Sequence, residues 1–232
     1  MPRLRNIFVL ALLAVSLLTP VLRGEIAADD LAALGDADYA KRHAATKKLL
    51  ADTKVTRDDI AAAYRKATGA EQKQRLLTIG RHHVLRLMRV ERDAESRLGA
   101  LGLRHEPVNA EDLPDAKQPA VRVRRTLPGF PAYAVLEAGD LILAVEGNFF
   151  PPNLTNEQIS TQFGDWIQRI VPGKNAKLTI LRGGKQLDVT TGVASLDALR
   201  MMFDVHGGVQ QSFNNEWLRF QRTLEPEAEK GK

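Results

Sequence analysis

The stretch Leu127–Gly147, "LPGFPAYAVLEAGDLILAVEG", decides the fold class. Pro128-Gly129 and Pro131 interrupt the chain, Gly139-Asp140 punctuates it again, and an apolar run then leads to Gly147. Proline lacks a backbone N–H and fixes φ, whereas glycine takes positive φ without steric cost, so both bound regular elements rather than fill them. The run between them, Asp140–Glu146, reads as a strand.

Short runs of the same kind surround it: Leu101–Glu106, Ala120–Arg125, Ala176–Arg182 and Gln186–Thr191. One helix interrupts them. Thr155 and Gln158 stand at the capping-box spacing, Ile159, Phe163, Trp166, Ile167 and Ile170 share a face behind them, and Pro172-Gly173 ends the run. "RGGK", Arg182–Lys185, reads as a hairpin turn, because adjacent glycines tolerate the positive φ angles of tight two-residue turns. The expected class is α+β: a small, largely antiparallel sheet with a helix across it, at residues 97–195.

Helical spacing governs both flanks. Residues 29–96 are Ala-rich, with Tyr39, Leu49-Leu50, Ile60, Tyr64, Leu76-Leu77, Ile79, Val84-Leu85 and Leu87-Met88 in helical register, which fits three or four helices. Asp36 is the expected cap of the second, and Thr56 and Gly69 punctuate the others. Residues 196–223 carry Leu196, Leu199, Met202 and Phe203, then Val209, Phe213, Trp217 and Phe220 beyond Gly207-Gly208. The charged residues 224–232 read as a disordered tail.

Residues 1–28 read as a secretory signal peptide: Arg3 and Arg5 precede the apolar run Ile7–Leu18, broken by Thr19-Pro20, with Ile26 and Ala28 as the cleavage pattern. Left uncleaved, the same run is an anchor, and that is the one expected link to a membrane. Cysteine is absent, which removes disulfides, thiolate metal sites and a Cys nucleophile together. Export without disulfides suits a bacterial envelope, either periplasmic or extracellular. The formal charge of +5 does not signal nucleic acid, since loss of residues 1–28 leaves 30 basic and 27 acidic side chains. Arg122, Arg124 and Arg125 alternate with Val121 and Val123 as on the solvent face of a strand.

Catalytic chemistry finds little support. Ser96, Ser160, Ser195 and Ser212 sit in no Gly-x-Ser-x-Gly elbow. His82 and His83 are adjacent on a helix and so point about 100° apart, which is poor geometry for a shared metal. Gly183-Gly184 falls in a hairpin rather than before a helix, so no phosphate loop is read. Neither enzymatic activity nor a cofactor or metal is expected.

In order, "LGALGL" (Leu98–Leu103), Leu127–Gly147, the helix Thr155–Ile170 and "PGKNAKLTILRGGK" (Pro172–Lys185) resemble a PDZ domain of the type found in periplasmic proteases of the high-temperature-requirement family. The segment "LGDADYAKRHAATKKLL", Leu34–Leu50, resembles the opening of a HEAT-type helical pair. The chain departs from the PDZ pattern at Phe130, where Ser is frequent, at Val135, where Gly is frequent, and in the loop Asn148–Asn153; none of these is expected to touch the groove directly, though the loop is placed to shade one end of it. The upstream helical residues leave no room for a trypsin-like protease domain.

The PDZ resemblance implies a peptide-binding site made by Gly99, Leu101, Gly102, Leu103, Ile159, Phe163 and Ile167. Amides of the Gly99–Gly102 turn would receive a terminal carboxylate, and the apolar residues would take a hydrophobic last side chain. The partner implied is a peptide or protein C-terminus, presented to a separate envelope protease. Two plainer readings stay open. A helix packed on any sheet shows such a face, and the flanking helices of a scaffolding protein would fill the groove, with Trp217 or Phe220 as plugs.

Overall fold

In a computed structural model of the chain, residues 25–93, 97–113, 118–202 and 208–225 are described. The signal segment lies outside the described residues up to position 24, as do Ser96, Phe203, His206, Gly207 and residues 226–232 of the tail.

Four helices open the described chain: α1 (Ala28–Ala33), α2 (Tyr39–Ala51), α3 (Arg57–Lys66) and α4 (Ala70–Asp93). Asp38, not Asp36, caps α2. Its carboxylate accepts the Ala40 N–H at 2.8 Å, while Asp36 accepts the Asp38 N–H at 2.8 Å and so shapes the turn before the cap. Thr56 and Asp59 form a reciprocal capping box on α3.

The chain then turns to strands: β1 (Gly99–Ala100), β2 (Leu103–Val108), β3 (Ala120–Thr126), a short helix α5 (Ala132–Val135), β4 (Leu141–Val145) and β5 (Asn148–Phe149). Helix α6 (Asn156–Gln168) follows, capped by Thr155 and Gln158 as its spacing requires, then β6 (Asn175–Arg182), β7 (Lys185–Gly192) and β8 (Ala194–Ser195). Helices α7 (Leu196–Met202) and α8 (Gly208–Leu224) complete the described chain. The class is α+β.

The main sheet is antiparallel throughout, in the order β2-β3-β4-β6-β7 with β5 beside β4. Central placement explains β4: flanked by β3 and β6, it buries both faces, hence the unbroken run Leu141–Val145. Gly183 and Gly184, at φ +56° and +75°, make the β6–β7 hairpin turn. The strand expected over Leu101–Glu106 is β2, which begins at Leu103 rather than Leu101, because the chain bends at Leu101-Gly102 with Gly102 at φ +70°. Helix α5 is too short to show a periodicity in the sequence; Pro131 starts it with φ −59°, where a missing N–H costs the helix nothing.

Ile159, Phe163 and Ile167, spaced four apart, bury one face of α6 against Val121, Val123, Ile142, Leu178 and Ile180 of the sheet. Each such side chain contributes on the order of 1.5–3 kcal/mol. Asp140, 2% exposed, opens β4 by accepting two bonds from the Arg182 guanidinium, both at 2.7 Å, and the Glu137 N–H at 2.8 Å. A second core lies among the helices. There Phe213, Phe220 and Leu224 of α8 pack with Ile60, Leu76 and Ile79 of α3 and α4. Gly80 makes room, since a Cβ there would stand 2.6 Å from the Phe220 ring. The last helix thus returns to the first ones, bracketing the sheet between chain segments that share one core.

Among the described residues no helix is long and apolar enough to cross a membrane.

Candidate functional site

Among the described residues, strand β2 is the edge of the sheet, its backbone paired with β3 on one side. Leu103 lies opposite Thr126, and the Leu127 N–H reaches the Gly102 carbonyl at 2.9 Å. Because backbone groups alternate in direction along a strand, Leu103 turns its N–H and C=O away from β3. Helix α6 runs along that open side. The register shifts between Arg104 and His105, where Arg124 of β3 is the extra residue.

At the closed end the turn before β2 carries the Leu101 and Gly102 amides. Both residues are buried, and among the described residues no acceptor takes either N–H. A buried unpaired amide is costly unless something occupies it. Glycine is required twice in this turn: a Cβ on Gly99 would stand 2.3 Å from the Ile170 carbonyl at the end of α6, and one on Gly102 would stand 2.0 Å from Phe130. Phe130 therefore packs against the turn directly, while it is not among the residues that line the groove. Its bulk supports the loop from beneath, and the Arg89 guanidinium covers its ring at 5.8 Å.

Between turn, strand and helix lies a groove of about 140 Å³. Gly99, Leu101, Gly102, Leu103, Phe163 and Ile167 line it. Ile159 does not. It is fully buried one helical turn further from the bend, within the sheet core, where it holds α6 down. The groove also takes in His105, Gly164, Gln168, Leu196 and Leu199, which sequence reasoning missed. Period-two spacing from Leu101 and Leu103 pointed to His105, and Gly164 adjoins Phe163; nothing near Leu196 or Leu199 pointed to the groove.

The groove's electrostatics are quiet, with no Lys or Arg in its lining. His105 stands edge-on to Phe163, ring centroids 4.9 Å apart, and desolvation holds its pKa below the ordinary imidazole value. The loop Asn148–Asn153 contributes nothing to the lining; Phe150 packs instead on Trp166, at 4.8 Å. Trp217 and Phe220 pack in the helical core, so neither plugs the groove.

Helix α4 braces the turn from behind. Arg89 Nε donates to the Gly129 carbonyl at 2.8 Å, His82 Nδ1 accepts the Gly129 N–H at 3.0 Å, and Asp93, ion-paired to Arg89, accepts the Ser195 N–H at 2.8 Å. Burial lowers the Arg89 pKa, with the Asp93 carboxylate opposing that shift. Residues 82, 89 and 93 fall on one face of α4. His83 turns the other way, its Nε2 donating to the Leu49 carbonyl at 2.9 Å. Ser195 Oγ accepts the Ala198 N–H at 3.0 Å and so caps α7.

Fold and site together define an α+β chain with an open groove between an edge strand and a helix. No family model and no curated protein matches it. Among solved structures it is similar to the HtrA-type protease AlgW with decapeptide, at 20% identity and a TM-score of 0.33, over 42% of this chain and 29% of that one. A variant of that protease, also with decapeptide, gives 19% identity and a TM-score of 0.35 over 48% and 33%. The matched part thus spans about a third of those chains.

Proposed function

We propose that this chain is a non-catalytic exported protein that captures peptides or protein C-termini by strand addition along β2. The observation that carries the reading is the pairing of an unoccupied strand edge with two unpaired, buried amides at its closed end. An extended ligand satisfies the edge with main-chain bonds, and its carboxylate takes the Leu101 and Gly102 amides. Leu101, Leu103, Phe163 and Ile167 receive its last side chain. Ser195 is occupied as a helix cap, which fits a binding role rather than hydrolysis. A separate envelope protease is the kind of protein that would use a captured end.

The alternative is a scaffold whose helices fill the groove; the packing of α8 on α3 and α4 takes Trp217 and Phe220 away from it, while α7 lends Leu196 and Leu199 to its wall. Calorimetry with peptides ending in Val, as free acids and as amides, tests the proposal. Saturable binding of the free acid, lost on amidation and in a folded Phe163→Asp variant, supports it; equal binding of both forms, or of neither, rejects it.

A further inference from the structure

Helix α4 and the start of α3 enclose a second cavity, of about 310 Å³, which shares no lining residue with the groove. The loop before α3 supplies Thr53, the first turn of α3 supplies Arg57 and Asp58, and α4 supplies His83 and Arg86. Its volume is about ten times the roughly 30 Å³ that one water takes in the liquid, so a single trapped water does not account for it.

Two buried polar atoms on the α4 residues of this lining have no partner. His83 is 1% exposed, and its Nε2 donates to the Leu49 carbonyl, which leaves Nδ1 as an acceptor that nothing among the described residues satisfies. Arg86 carries the second. Its Nη2 donates to the Thr53 carbonyl at 3.2 Å, its Nε is buried with no acceptor, and among the described residues no carboxylate pairs with it, whereas Arg89 three residues on has Asp93. Burial lowers the Arg86 pKa, Arg89 adds to that shift, and Asp52, outside the lining, opposes it.

Helix α3 brings its positive end to the same cavity. Its capping box occupies the Thr56 and Asp59 amides, and those of Arg57 and Asp58 have no acceptor among the described residues. Asp58 is the one carboxylate in the lining and is exposed, so water and salt screen it, while the Arg57 guanidinium is held by Glu216 at 3.0 Å.

These donors and acceptors call for one kind of ligand. Arg86 and the two amides donate, which requires an oxyanion, whereas His83 Nδ1 accepts, which requires a hydrogen on that same ion. Sulfate and carboxylates at neutral pH offer no hydrogen; hydrogen phosphate, negative and carrying a P–OH, offers both. Desolvation pushes the His83 pKa down to about 4, so the ring stays an acceptor.

We infer that the cavity between α4 and the start of α3 binds a hydrogen phosphate group, free or on a small phosphomonoester. Its P–OH donates to His83 Nδ1, and its charged oxygens take the Arg86 guanidinium and the Arg57 and Asp58 amides.

Isothermal titration calorimetry of the full chain at pH 6.5 and constant ionic strength, with inorganic phosphate, glycerol 3-phosphate and sulfate, tests the inference. Saturable phosphate binding tighter than about 1 mM is expected, with sulfate about 10- to 100-fold weaker because the His83 acceptor is then left unpaired. The tighter of the two phosphates tells whether the free ion or an ester is the ligand, and either result supports the inference. Equal affinity for sulfate and phosphate removes His83 from the site and overturns it; no saturation by either phosphate leaves the cavity to water and also overturns it. In folded Arg86→Gln the phosphate affinity is expected to fall at least about 10-fold, and unchanged affinity contradicts the assignment. Amide spectra of the unsubstituted ¹⁵N-labelled chain give a readout that depends on no variant's folding. Shifts at Arg57 and Asp58 on adding phosphate are expected, and shifts confined to other residues overturn the inference. The groove reading stands whichever way these measurements fall.

Discussion

Gly129 donates its backbone N–H to Nδ1 of His82 at 3.0 Å, in a buried contact that ties the groove-supporting turn to helix α4. An acceptor nitrogen cannot carry a proton, so the bond requires neutral His82 with its hydrogen on Nε2. Desolvation first, then the charges of His83, Arg86 and Arg89, push the His82 pKa down to about 3; desolvation lowers His83 to about 4.

Acid should therefore loosen the protein before its carboxylates titrate. The unfolded histidine takes a proton near pH 6.5 and the folded one only near 3, so the contribution is complete above pH 6.5 and lost as pH falls toward 3, at about 1.4 kcal/mol per unit. Urea denaturation between pH 4.5 and 7.5 should show a steeper loss in the wild type than in His82→Asn, which keeps an acceptor near Gly129 but cannot titrate. Parallel pH profiles would contradict the assignment.

Gly102 and Phe130 should be energetically coupled. Gly102→Ala places a methyl on the Phe130 ring at φ +70° and is expected to cost about 2–4 kcal/mol. Because the Phe130 Cβ itself would stand 2.2 Å from the added methyl, only a Phe130→Gly background removes the clash, and there only the backbone strain, about 1 kcal/mol, should remain. A double-mutant cycle by chemical denaturation measures the difference; additivity would place the ring elsewhere.

Arg182→Leu strands the buried Asp140 carboxylate and is expected to destabilise by about 3–5 kcal/mol. Adding Asp140→Asn should recover part of that loss, because a neutral amide is cheaper to leave partly unpaired. Denaturation midpoints of the single and double variants check it.

Gly80→Val drives a side chain into Phe220 and should cost about 1–3 kcal/mol, with faster hydrogen exchange across Gly208–Leu224. Peptide binding is expected to persist, since α8 packs away from the groove. Slow exchange in that helix would show that α8 is not held through Gly80.

What the chain reveals by inspection follows from range. The β4 strand, the α6 capping box and the Gly183-Gly184 turn are each specified within a few neighbouring residues, and each forms close to where its pattern lies. Phe130 stays out of the groove lining as read, but its packing behind Gly102 depends on a β2–β3 register that no local pattern encodes. Ile159 shares its helical face with Phe163 and Ile167, so periodicity groups all three. Only the crossing of α6 over the sheet decides that Ile159 goes into the core while the other two reach the groove. Leu196 and Leu199 enter the lining through the β1–β8 pairing, which spans nearly the whole sheet unit.

The most direct test of the account is the amide spectrum of ¹⁵N-labelled protein titrated with a hexapeptide free acid and, separately, its amide. Shifts concentrated at Leu101, Gly102 and Leu103 with the free acid, and absent there with the amide, are the predicted result. Shifts confined to other surfaces, or no difference between the two peptides at Leu101 and Gly102, would contradict carboxylate capture by this turn.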